Sequence, residues 1–488
     1  MPEIFGLIPA AGKGVRAYPY TQELPKSLLE VDGKPLLQGN VELMRDELGL
    51  RRIVVVVGHL GDRIREFLGD GSRFDVEVTY VVNDRLDLEL PYSIYLGSKQ
   101  FEGPCCIVLA DECYVGTNHR DLLRTPTDDL LTCAIIEAEY PRAVRNNYTV
   151  ELNGSHVVGL HEKPQVVTSL LMGTGTYVVQ PEAKRRLAET FAKGRKGPGD
   201  WTGWIDQLAR SGAPVGAFKL DGHYVNVNNR NELNHANHLL REREFASRTT
   251  SVVYVSDQTE VSAEAAILPF AERPEVSEVV VVTRQESPSL EASCQHEKIR
   301  ILVHDDPSAQ VGDLLRAGLD AAVGDMLITT LSDDTFAPRD IAKLLTFLRD
   351  ADLVVGTRTT RQMIEQGSNM RGAVRIAHLL LAKLLEVFWW RFDSRFTDIC
   401  CVYRGVWRNT YVLIRDQLES HGVEIFPEIV IEVLRARRRV VEIPVNYYNR
   451  DLVYSHVHSR YQNVGTFLRI LKMMVHKRAE ELRLSRPS

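Results

Sequence analysis

No run of this 488-residue sequence reaches the roughly 18 consecutive apolar residues that a membrane-crossing helix requires, so no span is predicted. Cysteine is sparse. There are seven, four of them in the adjacent pairs Cys105-Cys106 and Cys400-Cys401, and no CxxC pair occurs. That pattern argues against both a disulfide framework and a zinc site. Neither sign of charge dominates: 59 Lys and Arg stand against 65 Asp and Glu, and a net charge of −6 gives no reason to expect nucleic acid as a partner. A Walker A loop is missing too, because the GxxxxGK[ST] spacing does not occur. The N-terminus opens on an apolar strand without the basic region and apolar stretch of a leader, so the expected location is cytoplasmic.

What is present is the composition of a globular protein, 44% hydrophobic and 25% charged, in a chain long enough for two or three domains. The first half alternates strand and helix patterns. Strands are predicted at Ile4 to Pro9, Arg52 to Gly58, Val76 to Val82 and Cys105 to Asp111, with helices at Leu36 to Leu48 and Asp62 to Leu68. Continuous β-branched runs separated by amphipathic helices predict a mostly parallel sheet covered on both faces. Such sheets bind ligands at the carboxyl ends of their strands. A charged helical stretch, Asn231 to Arg248, closes this half, and the pattern restarts with strands at Ser251 to Val255, Glu278 to Thr283 and Ile299 to His304. A helix near Val311 to Ala322 and the strand in "DMLITTLSDD" follow. The predicted boundary lies near residue 248, and "NVGTFLRILKMMVHKRAEELR" predicts a basic amphipathic helix near the C-terminus.

The first strand runs into Ala10-Ala11-Gly12-Lys13-Gly14-Val15-Arg16, and Lys26 follows in "LPKSLL". Glycines at positions 12 and 14 would let several backbone N–H groups converge on an anion, and Lys13, Arg16 and Lys26 would spread charge over a polyphosphate. The whole string, A-A-G-x-G-x-R followed by P-K-S-L and G-K-P-L, resembles the nucleotidyltransferase family that joins NTPs to phosphorylated sugars or alcohols, over roughly residues 4–235. That resemblance implies that Ala10, Ala11, Gly12, Lys13 and Gly14 hold the nucleotide, with Arg16 and Lys26 catalytic. It implies that Asp111 of "VLADECY" holds Mg²⁺, and that Glu162 and Lys163 of "GLHEKP" meet the phosphorylated acceptor. In "YVNVNNRNEL" it implies a second metal ligand, Asn228 or its close rival Asn226. Asn83 and Ser93 lie in a segment similar to that of phosphocholine-type cytidylyltransferases. This similarity favours CTP with a small phosphorylated alcohol or polyol, and UTP with a sugar 1-phosphate second. In such a reaction the acceptor phosphate attacks the α-phosphorus and pyrophosphate leaves. The nucleophile is already an anion, so positioning and charge neutralisation suffice without a general base.

In the second half, "GDLLRAGLDAAVGDMLITTLSDDTFAPRDIAKLL", "DLVVGTR", "TDICCVYRG" and "EIFPEIVIEVLRARRRVVEIPVNYYNR" resemble, in order, segments of family 2 glycosyltransferases of the GT-A, dolichol-phosphate-mannose-synthase-like group. The resemblance implies a D-x-D metal site for Mg²⁺ or Mn²⁺. Here Ser332 takes the first aspartate's place, leaving Asp333 and Asp334, while Asp398 and Glu428 fall at acceptor-side positions with Asp398 a candidate base. Arg358 and Arg450 are candidate phosphate ligands. The expected architecture is α/β: two Rossmann-like domains in tandem, a nucleotidyltransferase fold over 1–248 and a GT-A fold over 249–460, with the basic helix over 461–488. The resemblance further implies a polyprenol-phosphate or glycan acceptor. A homo-oligomer and peripheral membrane contact are also expected. Two readings stay open for the second half, an active glycosyltransferase or a diverged binding or oligomerisation module.

Overall fold

Valine- and isoleucine-rich runs become strands where both faces of a sheet are covered. The computed structural model describes residues 3–17, 21–124, 128–192, 197–256, 263–285, 296–331, 335–365, 370, 372–390, 395–448 and 464–484. The chain divides into two compact units, Met1–Leu240 and Arg241–Ser488.

In the first unit the strands are β1 (Phe5–Ala10), β2 (Arg52–Val57), β3 (Glu77–Val82), β4 (Cys105–Val108), β5 (Glu112–Val115), β6 (Leu131–Glu137), β7 (Tyr148–Asn153), β8 (His156–Glu162), β9 (Leu171–Val179), β10 (Val215–Leu220) and β11 (His223–Asn226). Nine of them form one sheet in the order β3-β2-β1-β4-β9-β6-β10-β8-β7. The pairings β1 with β2 and β4, and β2 with β3, are parallel, as the helical crossovers between these strands require. The sheet is mixed rather than mostly parallel, because β9 lies antiparallel to both β4 and β6. The direction reverses at β9, so the parallel block β3-β2-β1-β4 ends there, and β6 and β10 beyond it are parallel to each other. Beside this sheet β5 and β11 pair antiparallel, with Asn226 opposite Glu112.

The helices flanking the cavity follow from local chemistry. In α1 (Trp201–Arg210) the residues Trp201, Trp204, Ile205 and Leu208 share one buried face, and Asp200 caps the N-terminus by accepting from Gly203 N–H at 2.5 Å. Such a cap contributes about 1 kcal/mol. The helix expected over Leu36 to Leu48 forms as an α-segment, Leu36–Glu42, with a π-helical continuation, Leu43–Glu47.

The second unit holds β12 (Thr250–Val255), β13 (Glu278–Thr283), β14 (Ile299–Val303), β15 (Met326–Leu331), β16 (Leu353–Thr357), β17 (Arg404–Trp407) and β18 (Val440–Pro444). They lie in the order β14-β13-β12-β15-β17-β16-β18, with β17 antiparallel to β15 and β16 and the remaining pairings parallel. Its helices include α2 (Gly372–Phe388), α3 (Ile425–Arg435) and α4 (Val464–Leu484). The predicted C-terminal helix is thus present as α4, which packs on its own unit through Lys477. That ammonium is buried and bonds Glu428 at 3.0 Å, Glu432 at 3.1 Å and the Gln417 carbonyl at 2.6 Å.

Candidate active site

The carboxyl end of β1 opens into a cavity of about 760 Å³ lined, among others, by Ala10, Ala11, Gly12, Lys13, Gly14, Lys26, Asn83, Ser93, Asp111, Glu162, Lys163 and Asn226. Residues spread over more than 200 positions of sequence therefore meet around one space. The turn itself is held from behind. Ala11 C=O accepts from His59 N–H at 3.1 Å, and Gly14 C=O accepts from Ala17 N–H at 3.0 Å and Thr21 Oγ1 at 2.8 Å. Gly14 has φ +62°, where a side chain would be strained. Gly12 differs from expectation. Its φ is not positive and a Cβ there would meet nothing within 4 Å, so its glycine matters only for how closely a ligand can approach. The Arg16 side chain lies outside the described residues.

At the other side of the cavity the antiparallel pairing of β5 and β11 brings Asp111 beside Asn226 and Asn228, and Val227 N–H donates to Asp111 C=O at 2.9 Å. Lys26 Nζ bridges this junction. It pairs with Asp111 Oδ2 and donates to Asn228 Oδ1 at 2.9 Å. Asn226 donates through Nδ2 to Asn147 Oδ1 at 3.1 Å, while its own Oδ1 is buried without a hydrogen-bond partner. Ser27 Oγ and Trp201 Nε1 are likewise buried and unpartnered, and all three residues line the cavity. Buried polar atoms are normally satisfied, and three unpartnered ones lie at this one cavity.

The oxygens at this junction fit a hard divalent cation. Asp111 supplies a carboxylate and Asn226 an orphaned amide oxygen, and the oxygens of Asp111 and Asn228 already converge on the Lys26 cation. An all-oxygen set with few protein ligands suits Mg²⁺ that keeps waters and phosphate oxygens. Among the described residues there is no cluster of three or more His, Cys, Asp or Glu side chains that could hold a metal ion.

Glu162 ends β8 and Lys163 follows it with φ +45°. Lys163 Nζ donates to Glu162 Oε1 at 2.5 Å and its backbone N–H to Asn147 C=O at 2.7 Å. Asn147 thus joins the Glu162–Lys163 corner to Asn226, a role the sequence did not signal. Asn83 Nδ2 donates to Ser93 Oγ at 2.8 Å and Asn83 Oδ1 accepts from Arg85 N–H at 2.8 Å, which fixes both side chains at the cavity wall.

Glu112 was also missed, although it stands next to Asp111. It is fully buried, and accepts from Tyr114 and Tyr224 hydroxyls and Gly175 N–H, each at 2.9 Å. Burial, with the Asp111 charge beside it, pushes its carboxyl up to about 8 despite those hydrogen bonds. The signal was an acid set among apolar residues in "LADECYV".

In the second unit Asp333, Asp334 and Arg450 lie outside the described residues. Asp398 is fully buried, clasped by Arg358 through Nε at 2.7 Å and Nη2 at 2.9 Å, and bonded to His378 Nδ1 at 2.9 Å. Burial alone would raise its carboxyl, but Arg358 and His378 hold it well below the usual carboxylate range. A carboxylate held in that way has little drive to take a proton, which runs against the role of base expected for Asp398. The Arg358 guanidinium, expected as a phosphate ligand, is engaged with Asp398 through these two bonds. Arg358 and His378 line an otherwise mostly apolar pocket of about 100 Å³. Glu428 is a helix anchor: besides Lys477 it accepts from the N–H groups of Glu419 at 3.0 Å and Ser420 at 2.9 Å.

Comparison with known proteins follows the same division. Residues 5–242 match the family described as nucleotidyl transferase. UTP–glucose-1-phosphate uridylyltransferase AglF of Haloferax volcanii is 28% identical over 235 residues, 48% of this chain and 95% of the relative. The bifunctional IPC transferase and DIPP synthase of Aquifex aeolicus is 33% identical over 109 residues, 22% of this chain and 24% of the relative. The structure of the inositol-1-phosphate CTP transferase from T. maritima aligns with a TM-score of 0.41 at 18% identity, covering 50% of this chain and 98% of that one. The cavity and the match occupy the same unit: residues 5–242 form a nucleotidyltransferase domain whose homologues are sugar-phosphate nucleotidyltransferases.

Proposed function

We propose that the first unit transfers a nucleotidyl group from an NTP, CTP favoured and UTP second, to a phosphorylated small alcohol, polyol or sugar 1-phosphate, releasing pyrophosphate. The observation that carries this reading is the convergence of Lys26, Asp111 and Asn226 at the edge of the cavity into which the β1 turn opens. The turn residues Ala11 to Gly14 bind the triphosphate, and Lys26 neutralises charge as the α-phosphorus is attacked. Glu162 and Lys163 hold the acceptor so that its phosphate oxygen lies in line with the leaving pyrophosphate. Mg²⁺ held by Asp111 and Asn226, with Asn228 behind Lys26, would supply further charge neutralisation on the phosphates. The CTP preference rests on the Asn83–Ser93 segment, while the relative AglF is named for UTP and glucose 1-phosphate.

The test is pyrophosphate release with Mg²⁺ across four NTPs against a panel of phosphorylated alcohols and sugar 1-phosphates. Turnover with one NTP–acceptor pair is expected. Silence across the panel together with absent NTP binding would overturn the reading.

For the second unit the proposal is a glycosyltransferase-type fold that uses the activated product or a related donor. It is supported by a strand order that repeats that of the first unit, four parallel strands in the order 3-2-1-4 followed by an antiparallel one. The sealed Asp398 favours a second reading, a binding or oligomerisation module without catalysis. Asp334→Ala separates them: loss of a transfer step with pyrophosphate release intact supports catalysis.

A further inference from the structure

The helices α2 and α4 of the second unit pack against each other, and each is apolar on the wrong side. Leu381, Ala382 and Leu385 bury the inner face of α2. Its outer face carries Ile376, Leu380 and Val387, and Trp390 lies just beyond its end; these four are 53 to 65% exposed. Steps of four, seven and three residues place all of them on one stripe. On α4 the inner face buries Ile470, Met474 and Lys477, while Val464, Leu468, Val475 and Leu482, 50 to 76% exposed, point outward at the same helical spacing. A single exposed leucine needs no explanation. Two neighbouring helices with solvent-facing apolar stripes do.

Charge identifies the occupant. Leaving out the buried Lys477, the two helices carry six Lys and Arg against three Glu, within a chain whose net charge is −6. Lys383, paired with Glu386 at 2.6 Å, lies on the outer stripe of α2; on α4 Arg469, paired with Glu424, Lys472 and Arg483 are exposed. Apolar stripes rimmed by long cationic side chains, with an exposed tryptophan at one helix end, are complementary to an anionic lipid surface: the stripes enter the acyl boundary and the cations reach the headgroups. Among the described residues no helix is long and apolar enough to cross a membrane, so the helices would lie in the interface. We propose that the α2–α4 face of the second unit docks on anionic lipid bilayers. Trp389, adjacent to the exposed Trp390, is instead buried and donates to Glu481 of α4 at 2.6 Å, which locks the two helices together as one docking plate.

The experiment is flotation of the full chain with phosphatidylcholine/phosphatidylglycerol vesicles, compared with phosphatidylcholine alone and at raised salt. Binding to the anionic vesicles that weakens with salt is expected. In the double variant Leu380→Glu/Leu468→Glu the partition should fall by about tenfold or more, with the near-UV circular dichroism unchanged. Should that variant fail to fold, nitroxide-lipid quenching of wild-type tryptophan fluorescence, reduced in Trp390→Phe, decides instead. Three results would each overturn the proposal. They are no flotation with anionic vesicles, no effect of the folded variant on it, and a dimer that the substitutions dissociate without any vesicle binding, which would assign the face to a second copy.

Discussion

Lys26 illustrates how one side chain can hold a site in readiness. Its ammonium spans Asp111 and Asn228, so two oxygens at the cavity edge share one cation. Lys26→Ala and Asp111→Ala should each lower pyrophosphate release by about 10²-fold or more, the usual scale for a lost electrostatic stabiliser, measured as kcat/KM. Asn226 and Asn228 separate by geometry: only Asn226 lines the cavity and carries the orphaned oxygen. Asn226→Asp adds a formal charge to the proposed ligand set and should lower the Mg²⁺ concentration for half-maximal rate, whereas Asn228→Asp should act mainly through Lys26. A Mg²⁺ titration of both variants checks this.

At the level of elements, the β5–β11 ribbon does the work of assembly, and His119 anchors its base. The ring is fully buried between Thr117 Oγ1 at 2.7 Å and Thr176 Oγ1 at 3.2 Å. Burial pushes its imidazole down to about 4 from an ordinary 6.5. The neutral ring is thus the folded form, and its contribution is complete above pH 6.5 and lost as the pH falls toward 4. That loss amounts to about 3 kcal/mol at most. Denaturant unfolding of wild type and His119→Gln across this window should show a slope in the difference that is absent above pH 7. Arg241, at the end of the helix Arg230–Glu244, belongs by packing to the second unit: it is buried, bonds Asp352 Oδ1 at 2.6 Å and Ala351 C=O at 3.0 Å, and stacks on Trp407. Arg241→Ala would strand the buried Asp352 carboxylate and should cost about 3–5 kcal/mol, read as a lowered unfolding midpoint.

At the scale of the whole molecule, two units repeat one topology without reading as a sequence repeat. In both, four parallel strands lie in the order 3-2-1-4, an antiparallel strand follows, and a strand earlier in sequence lies beyond it. Each unit also has its own core, one built on Phe5, Leu7, Val54 and Ile107 and the other on Val253, Val280, Leu327 and Ile429. A fragment ending at Arg248 should therefore keep the cavity and the pyrophosphate-releasing activity proposed for it, within a few-fold of the full chain in kcat/KM.

The sequence by itself determined the first four long strands of each unit and the glycine-bearing turn after the first. Runs such as Arg52–Val57 have only one way to bury their side chains, and the string from Ala10 to Arg16 is local chemistry whose meaning survives without its neighbours. It also placed Asp111 at the end of a strand. What it could not reveal depended on pairing across long separations. Glu112 became a buried acid only when Tyr224 and Gly175 closed over it, and Asn147 became a linker only when β11 delivered Asn226. Asp398 looked available until the fold set Arg358 and His378 against it. The outward stripes of α2 and α4 were invisible for the same reason. Helical periodicity marks two faces, and only tertiary packing decides which of them meets water.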